Sequence, residues 1–72
     1  MSTFQLWRKA RIIEETGLSI TEIERRMKSG TFPNSIKIGP RSIAWRSDEI
    51  ESWKIAIVNG QVWQSQREQN AA

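Results

Sequence analysis

Thr16-Gly17-Leu18-Ser19-Ile20-Thr21-Glu22-Ile23 ends one helix and starts another. Gly17 suits the left-handed position just past a helix C-terminus, where a Cβ would be penalised. Ser19 and Glu22 have the spacing of a capping box: the Ser19 hydroxyl accepts from the Glu22 amide, and the Glu22 carboxylate reaches back to the Ser19 amide. Leu18 and Ile23 bracket the cap as a hydrophobic staple. Upstream, Lys9 to Glu15 carries Ala10, Ile12 and Ile13 and reads as a short helix with no obvious N-cap. Downstream, Ile20, Ile23 and Met27 form one apolar stripe and Gly30 closes the helix. The opposite face is Thr21, Glu22, Arg25 and Ser29, flanked by Arg26 and Lys28.

Pro33 blocks helix continuation and biases Phe32 to an extended conformation. Ile36-Lys37-Ile38 and Ile43-Ala44-Trp45 alternate with period two around Gly39-Pro40-Arg41-Ser42. They are expected to form a two-stranded hairpin with Ile36, Ile38, Ile43 and Trp45 on one face, Lys37 outward and Arg41 at the tip. Ser47-Asp48-Glu49 reads as a hydroxyl cap followed by acids that complement the positive end of a third helix. Ile50, Trp53 and Ile57 are its stripe and Gly60 its stop. The expected fold is α+β, a small winged helix-turn-helix of three helices plus a two-stranded β-hairpin wing. Residues 1–7 are expected as an N-terminal arm, 8–58 as the domain, and 59–72 as a polar tail, frayed or disordered.

A chain of 72 residues is one domain with one modest core. It contains neither Cys nor His, which excludes disulfides, zinc-finger ligand sets and Ser-His-Asp catalysis. Its eight carboxylates, without a phosphate-binding glycine loop, assemble no catalytic site, so neither an enzymatic activity nor a cofactor is expected. With no apolar run of signal or membrane-spanning length, the protein is read as soluble and cytoplasmic. Net charge is +3, and its distribution is uneven. From Arg25 to Arg46 there are six basic residues and no acid, whereas the remainder holds five basic and eight acidic residues, a balance of −3.

Two short helices and a tight turn also describe an ordinary αα corner; the basic hairpin that follows tips the reading towards duplex DNA, with the second helix in the major groove and the wing on phosphate or the minor groove. The expected DNA-binding residues are Thr21, Glu22, Arg25, Arg26, Lys28, Lys37, Arg41 and Ser42. Arg25 has Thr21 and Ser29 one turn away on either side and no acid at i±4, so it is the choice for base contact through its planar fork. Arg26 and Lys28, each with a Glu at i−4, fit phosphate better. Glu22 suits cytosine N4 less well than the cap, and Thr21 suits base or phosphate. Trp45 and Trp53 lie on core stripes; Trp7 fits the bottom of the core, and Trp63 fits a lid or a partner anchor.

Arg8, Thr16-Gly17-Leu18-Ser19, Ile23, Arg25, Lys28, Gly30-Thr31-Phe32-Pro33, Lys37-Ile38-Gly39-Pro40-Arg41-Ser42, Trp45, Ser47, Glu49-Ile50 and Trp53 together resemble the AlpA family of phage-type regulators, relatives of excisionases and of the DNA-binding end of MerR-type regulators. The resemblance runs from about residue 8 to 57 and implies a winged helix-turn-helix that binds near attachment sites of integrated elements, bends the DNA and favours excision, or controls integrase genes. It aligns Arg25 with the family's helix arginine, Lys28 with its next basic residue and Arg41 with its wing-tip arginine. Ile20 stands where Arg is usual, Glu24 where Tyr is common and Arg26 where an apolar residue is common, which implies a different target sequence. The expected role is an excision factor acting on double-stranded DNA, with cooperative self-association on DNA and a tyrosine integrase as candidate partner. The alternatives are a transcriptional regulator and, from another class, a protein-interaction module that binds no DNA. Neither a membrane nor a small-molecule substrate is expected.

Overall fold

The computed structural model describes residues 3–64. The order of elements is β1 (Leu6–Trp7), α1 (Lys9–Thr16), α2 (Ile20–Ser29), β2 (Ile36–Gly39), β3 (Ser42–Arg46) and α3 (Ser47–Val58). This is the expected α+β winged helix-turn-helix, with one strand more. Leu6 and Trp7, in the stretch read as an arm, pair antiparallel with Arg46 and Trp45, so the sheet has three strands in the order β1-β3-β2. Part of the tail beyond residue 58 also has a place. Trp63 packs against the core and its Nε1 donates to Ser52 Oγ at 3.3 Å, whereas residues 65–72 lie outside the described residues.

Local chemistry accounts for the helix boundaries. Gly17 and Gly30 adopt φ of 74° and 79°, the left-handed region that ends α1 and α2. At the start of α2 the Ser19 hydroxyl accepts from the Glu22 amide at 3.2 Å. At its end Thr31 N–H donates to the Arg26 carbonyl at 3.0 Å, closing the last turn. The third helix departs from expectation. Ser47 lies inside it, behind Arg46 as the cap residue, and its hydroxyl accepts from the Gln5 amide at 2.7 Å. Ser47 N–H in turn donates to the Gln5 carbonyl at 2.8 Å, so this serine fastens the N-terminal strand to α3.

The hairpin register also differs. Ile36 faces Ala44 and Lys37 faces Ile43, but Gly39 faces Ser42, so Ile38 is the extra residue of a bulge. Directly opposed residues share a face, so Ile36 lies with Ala44 and away from Ile43 and Trp45. Ile38 is exposed.

The core is Trp7, Ile12, Ile23, Phe32, Trp45, Ile50 and Trp53, with Ile20 and Met27 of the α2 stripe packed against it. Trp7, Trp45 and Trp53 thus take the core places expected of them. Ile57 does not complete the α3 stripe and is exposed. Phe32 meets Trp53 edge-on at 5.0 Å between ring centroids. The Trp45 indole donates from the buried interior to the Pro33 carbonyl at 3.0 Å. These two contacts fix the connection between α2 and the hairpin, so helix and wing are joined by a buried joint instead of a loose loop.

Candidate nucleic-acid interface

The polar face of α2 is exposed at Thr21, Glu24, Arg25, Lys28 and Ser29, because the apolar stripe on the other side holds the helix to the core. The cap at Ser19 orients its first turn, where Thr21 and Glu22 lie. Lys37 is exposed on β2, Arg41 is exposed in the hairpin turn, and Ser42 is half-buried opposite Gly39.

The structure brings Glu22, Arg25 and Arg26 together. Glu22 does not turn back to the Ser19 amide. One of its carboxylate oxygens bonds Arg25 Nη2, and the other bonds Arg26 Nε at 2.9 Å. The capping box is therefore half formed, and Arg25, expected to be free of intrahelical acids, has one at i−3. A guanidinium offers stronger, charge-assisted bonds to a carboxylate than a backbone amide does. These bonds, that from Arg26 first, hold the Glu22 carboxyl below the usual glutamate range. The other spacing expected to pair, Glu24 with Lys28, carries no ion pair among the described residues.

The second acidic partner lies at the opposite end of the basic window. Arg46 makes two bonds to Asp48, Nε to Oδ1 at 3.1 Å and Nη2 to Oδ2 at 2.8 Å, and its guanidinium lies 3.9 Å over the Phe4 ring. The Asp48 carboxyl is correspondingly held below its usual range, chiefly by Arg46. Six consecutive basic residues without an intervening acid thus reduce to three, Lys28, Lys37 and Arg41, that have no acidic partner among the described residues. The signals for the other three are present in the sequence, as the i,i+3 spacing of Glu22 and Arg25, the i,i+4 spacing of Glu22 and Arg26, and the near neighbours Arg46 and Asp48.

The positioning residues behind this surface were less visible. In the sequence Phe32 and Pro33 stand out only as helix-breaking punctuation, yet the Phe32 ring and the Pro33 carbonyl are what the core grips.

Residues 5–56 match the family described as Prophage CP4-57 regulatory protein (AlpA), over most of the chain. The chain belongs to this family. The match takes in β1, α1, α2 and the whole hairpin, and it ends in the last turn of α3. No curated protein and no solved structure matches the chain. As an AlpA-family member it falls among phage-related DNA-binding regulators, and the three positions where the resemblance implied other residues lie on α2. Ile20 is half-buried against the core instead of presenting a cation, Glu24 is exposed, and Arg26 is half-buried with its charge met by Glu22. Among the described residues no helix is long and apolar enough to cross a membrane, and no group of three or more acidic side chains forms a metal site.

Proposed function

We propose that this AlpA-family protein binds double-stranded DNA sequence-specifically and acts as an excision factor, binding and bending attachment-site DNA so that an integrase can remove a prophage or genomic island. The observation that supports this best is a capped helix with Thr21, Arg25 and Lys28 in solvent, joined through the buried Phe32-Pro33 connection to a hairpin whose exposed cations are Lys37 and Arg41. In this reading Arg25 reads a base edge in the major groove, Thr21 and Lys28 contact base or backbone beside it, and Lys37, Arg41 and Ser42 contact phosphate or the adjacent minor groove. Arg26 and Glu22 act through their bonds to each other. One domain of this size covers a short site, so several copies binding side by side would supply both affinity and the few kcal/mol that a DNA bend costs.

A second reading, control of transcription from a phage-related promoter, is favoured by the word "regulatory" in the family's description. It uses the same surface. Footprinting across the host element separates the two: protection of attachment-site DNA, with a fall in excision frequency when the gene is deleted, supports the excision role. Protection confined to a promoter, with unchanged excision, supports the regulator. Arg25→Ala with Arg41→Ala tests whether DNA is bound at all. Loss of duplex binding at unchanged melting temperature is expected, and unaltered function favours the protein-interaction alternative.

A further inference from the structure

Glu22 is the one acid in the first turn of α2, and it holds two guanidiniums at once. Its own amide is already satisfied by Ser19 Oγ, so the carboxylate has no share in that cap bond. The two arginines are held unequally. Arg25 is 73% exposed, and a surface pair of that kind is weak and readily exchanged. Arg26 is 33% exposed, with its side chain partly packed against the protein. A carboxylate in the turn expected to face the duplex would also repel phosphate at every position along it, whatever the sequence.

Resting on the DNA-binding reading above, we propose that Glu22 is a specificity-determining residue: it holds Arg26 and competes with phosphate for Arg25, so that α2 binds most tightly where a base edge takes over the Arg25 fork. On random duplex Lys28, Lys37 and Arg41, the three cations of the Arg25 to Arg46 run that have no acidic partner among the described residues, then carry the contacts of helix and wing. At ~0.9 per neutralised phosphate they give a slope of log K against log salt of about −2.7. On a preferred site the Arg25 fork gains two bonds to guanine O6 and N7, a gain that only particular sequences supply. Glu22 thus lowers binding everywhere and lowers it least at the right sequence.

Glu22→Gln tests this, because it removes the charge while leaving the Ser19 cap bond and the side-chain shape. Wild type and variant are each titrated against a pool of random-sequence 30-base-pair duplexes over a range of salt, and the bound fraction is sequenced. One phosphate contact released to DNA steepens the slope by ~0.9 and strengthens binding to the pool about eightfold at 0.1 M salt. The expected result is a variant slope between about −3.6 and −4.5, tighter binding to the pool, and a matching fall in enrichment of the sequence that wild type prefers. Adding Arg26→Gln to the variant should bring its slope back by as much as ~0.9. An unchanged slope with unchanged enrichment overturns the proposal. So does weaker binding to the preferred sequence with pool binding unchanged, which would make Glu22 a direct base contact. If neither protein binds duplex at any salt, the DNA-binding reading itself fails and the inference with it.

Discussion

Trp45→Phe tests the joint on which the relative placement of helix and wing depends. Trp45 is 1% exposed, and its Nε1 is the donor to a buried Pro33 carbonyl. Phenylalanine keeps an aromatic ring on β3 but removes the donor, leaving an unsatisfied carbonyl at about 1–3 kcal/mol. The lost ring atoms leave a cavity of a few tens of Å³, which at ~24 cal/mol per Å³ adds about 1 kcal/mol. A loss of about 2–4 kcal/mol is large for a chain of this length, whose total stability is expected at about 4–11 kcal/mol. It corresponds to a fall in melting temperature of roughly 10–25 °C. Trp53→Phe is the control, because Trp53 is also buried but its Nε1 has no acceptor among the described residues. It should lose the cavity contribution and part of the ring contact with Phe32, but no hydrogen bond. Urea denaturation followed by circular dichroism measures both. A Trp45→Phe cost below about 1 kcal/mol at unchanged m-value, or equal costs for the two variants, would refute the role assigned to the Pro33 bond.

Three further outcomes are expected. Glu15, Glu22 and Asp48 are held below their ordinary values by Lys54, Arg26 and Arg46 respectively, so the stability they lend is complete above the unfolded glutamate and aspartate values of 4.5 and 3.8 and is lost as pH falls through the lower folded values. With no histidine in the chain, melting temperature should be nearly level from about pH 8 to pH 5 and then decline, and a step near pH 6.5 would contradict this. Gly17→Ala should destabilise by about 1–2 kcal/mol in denaturant titrations, through backbone strain alone, because φ is +74° and nothing lies within 4 Å of the added Cβ. Lys28→Gln should make the salt slope on random duplex shallower by ~0.9 at unchanged melting temperature, whereas Arg46→Gln should leave the slope as it is and lower thermal stability.

The parts of the fold legible in the sequence are those decided within a few residues. Both ends of α2 follow from Ser19 and Gly30 because a cap hydroxyl and a left-handed glycine act on their immediate neighbours. The hairpin was legible as a hairpin but its register was not, since the alternation of Ile36, Ile38, Ile43 and Trp45 contains no sign that Ile38 would be the bulged residue. Strand β1 is two residues long, too short for any periodicity, and it is held partly by Ser47, 42 positions away from Gln5. That same long-range bond is why Ser47 does not cap α3: a serine followed by two acids has the local marks of a cap, but its hydroxyl is taken by a partner that sequence proximity does not suggest.

The candidate site shows the same division in electrostatic terms. Counting charges over a window treats each as independent, which is adequate for long-range potential but not for the availability of a particular side chain. Glu22 and Asp48 lie just outside the two ends of the basic run, and both make two-oxygen contacts that draw in Arg25, Arg26 and Arg46. A run that reads as six cations therefore offers three without an acidic partner among the described residues, with a fourth, Arg25, on a weak exposed tether. That difference changes the kind of recognition available. A surface of six unpaired cations would gain most of its binding energy from phosphate and so hold any duplex strongly. One in which the arginines must exchange a carboxylate for a new partner gains less from phosphate at every position, so the two bonds that guanine offers the fork in the major groove make a larger share of the total.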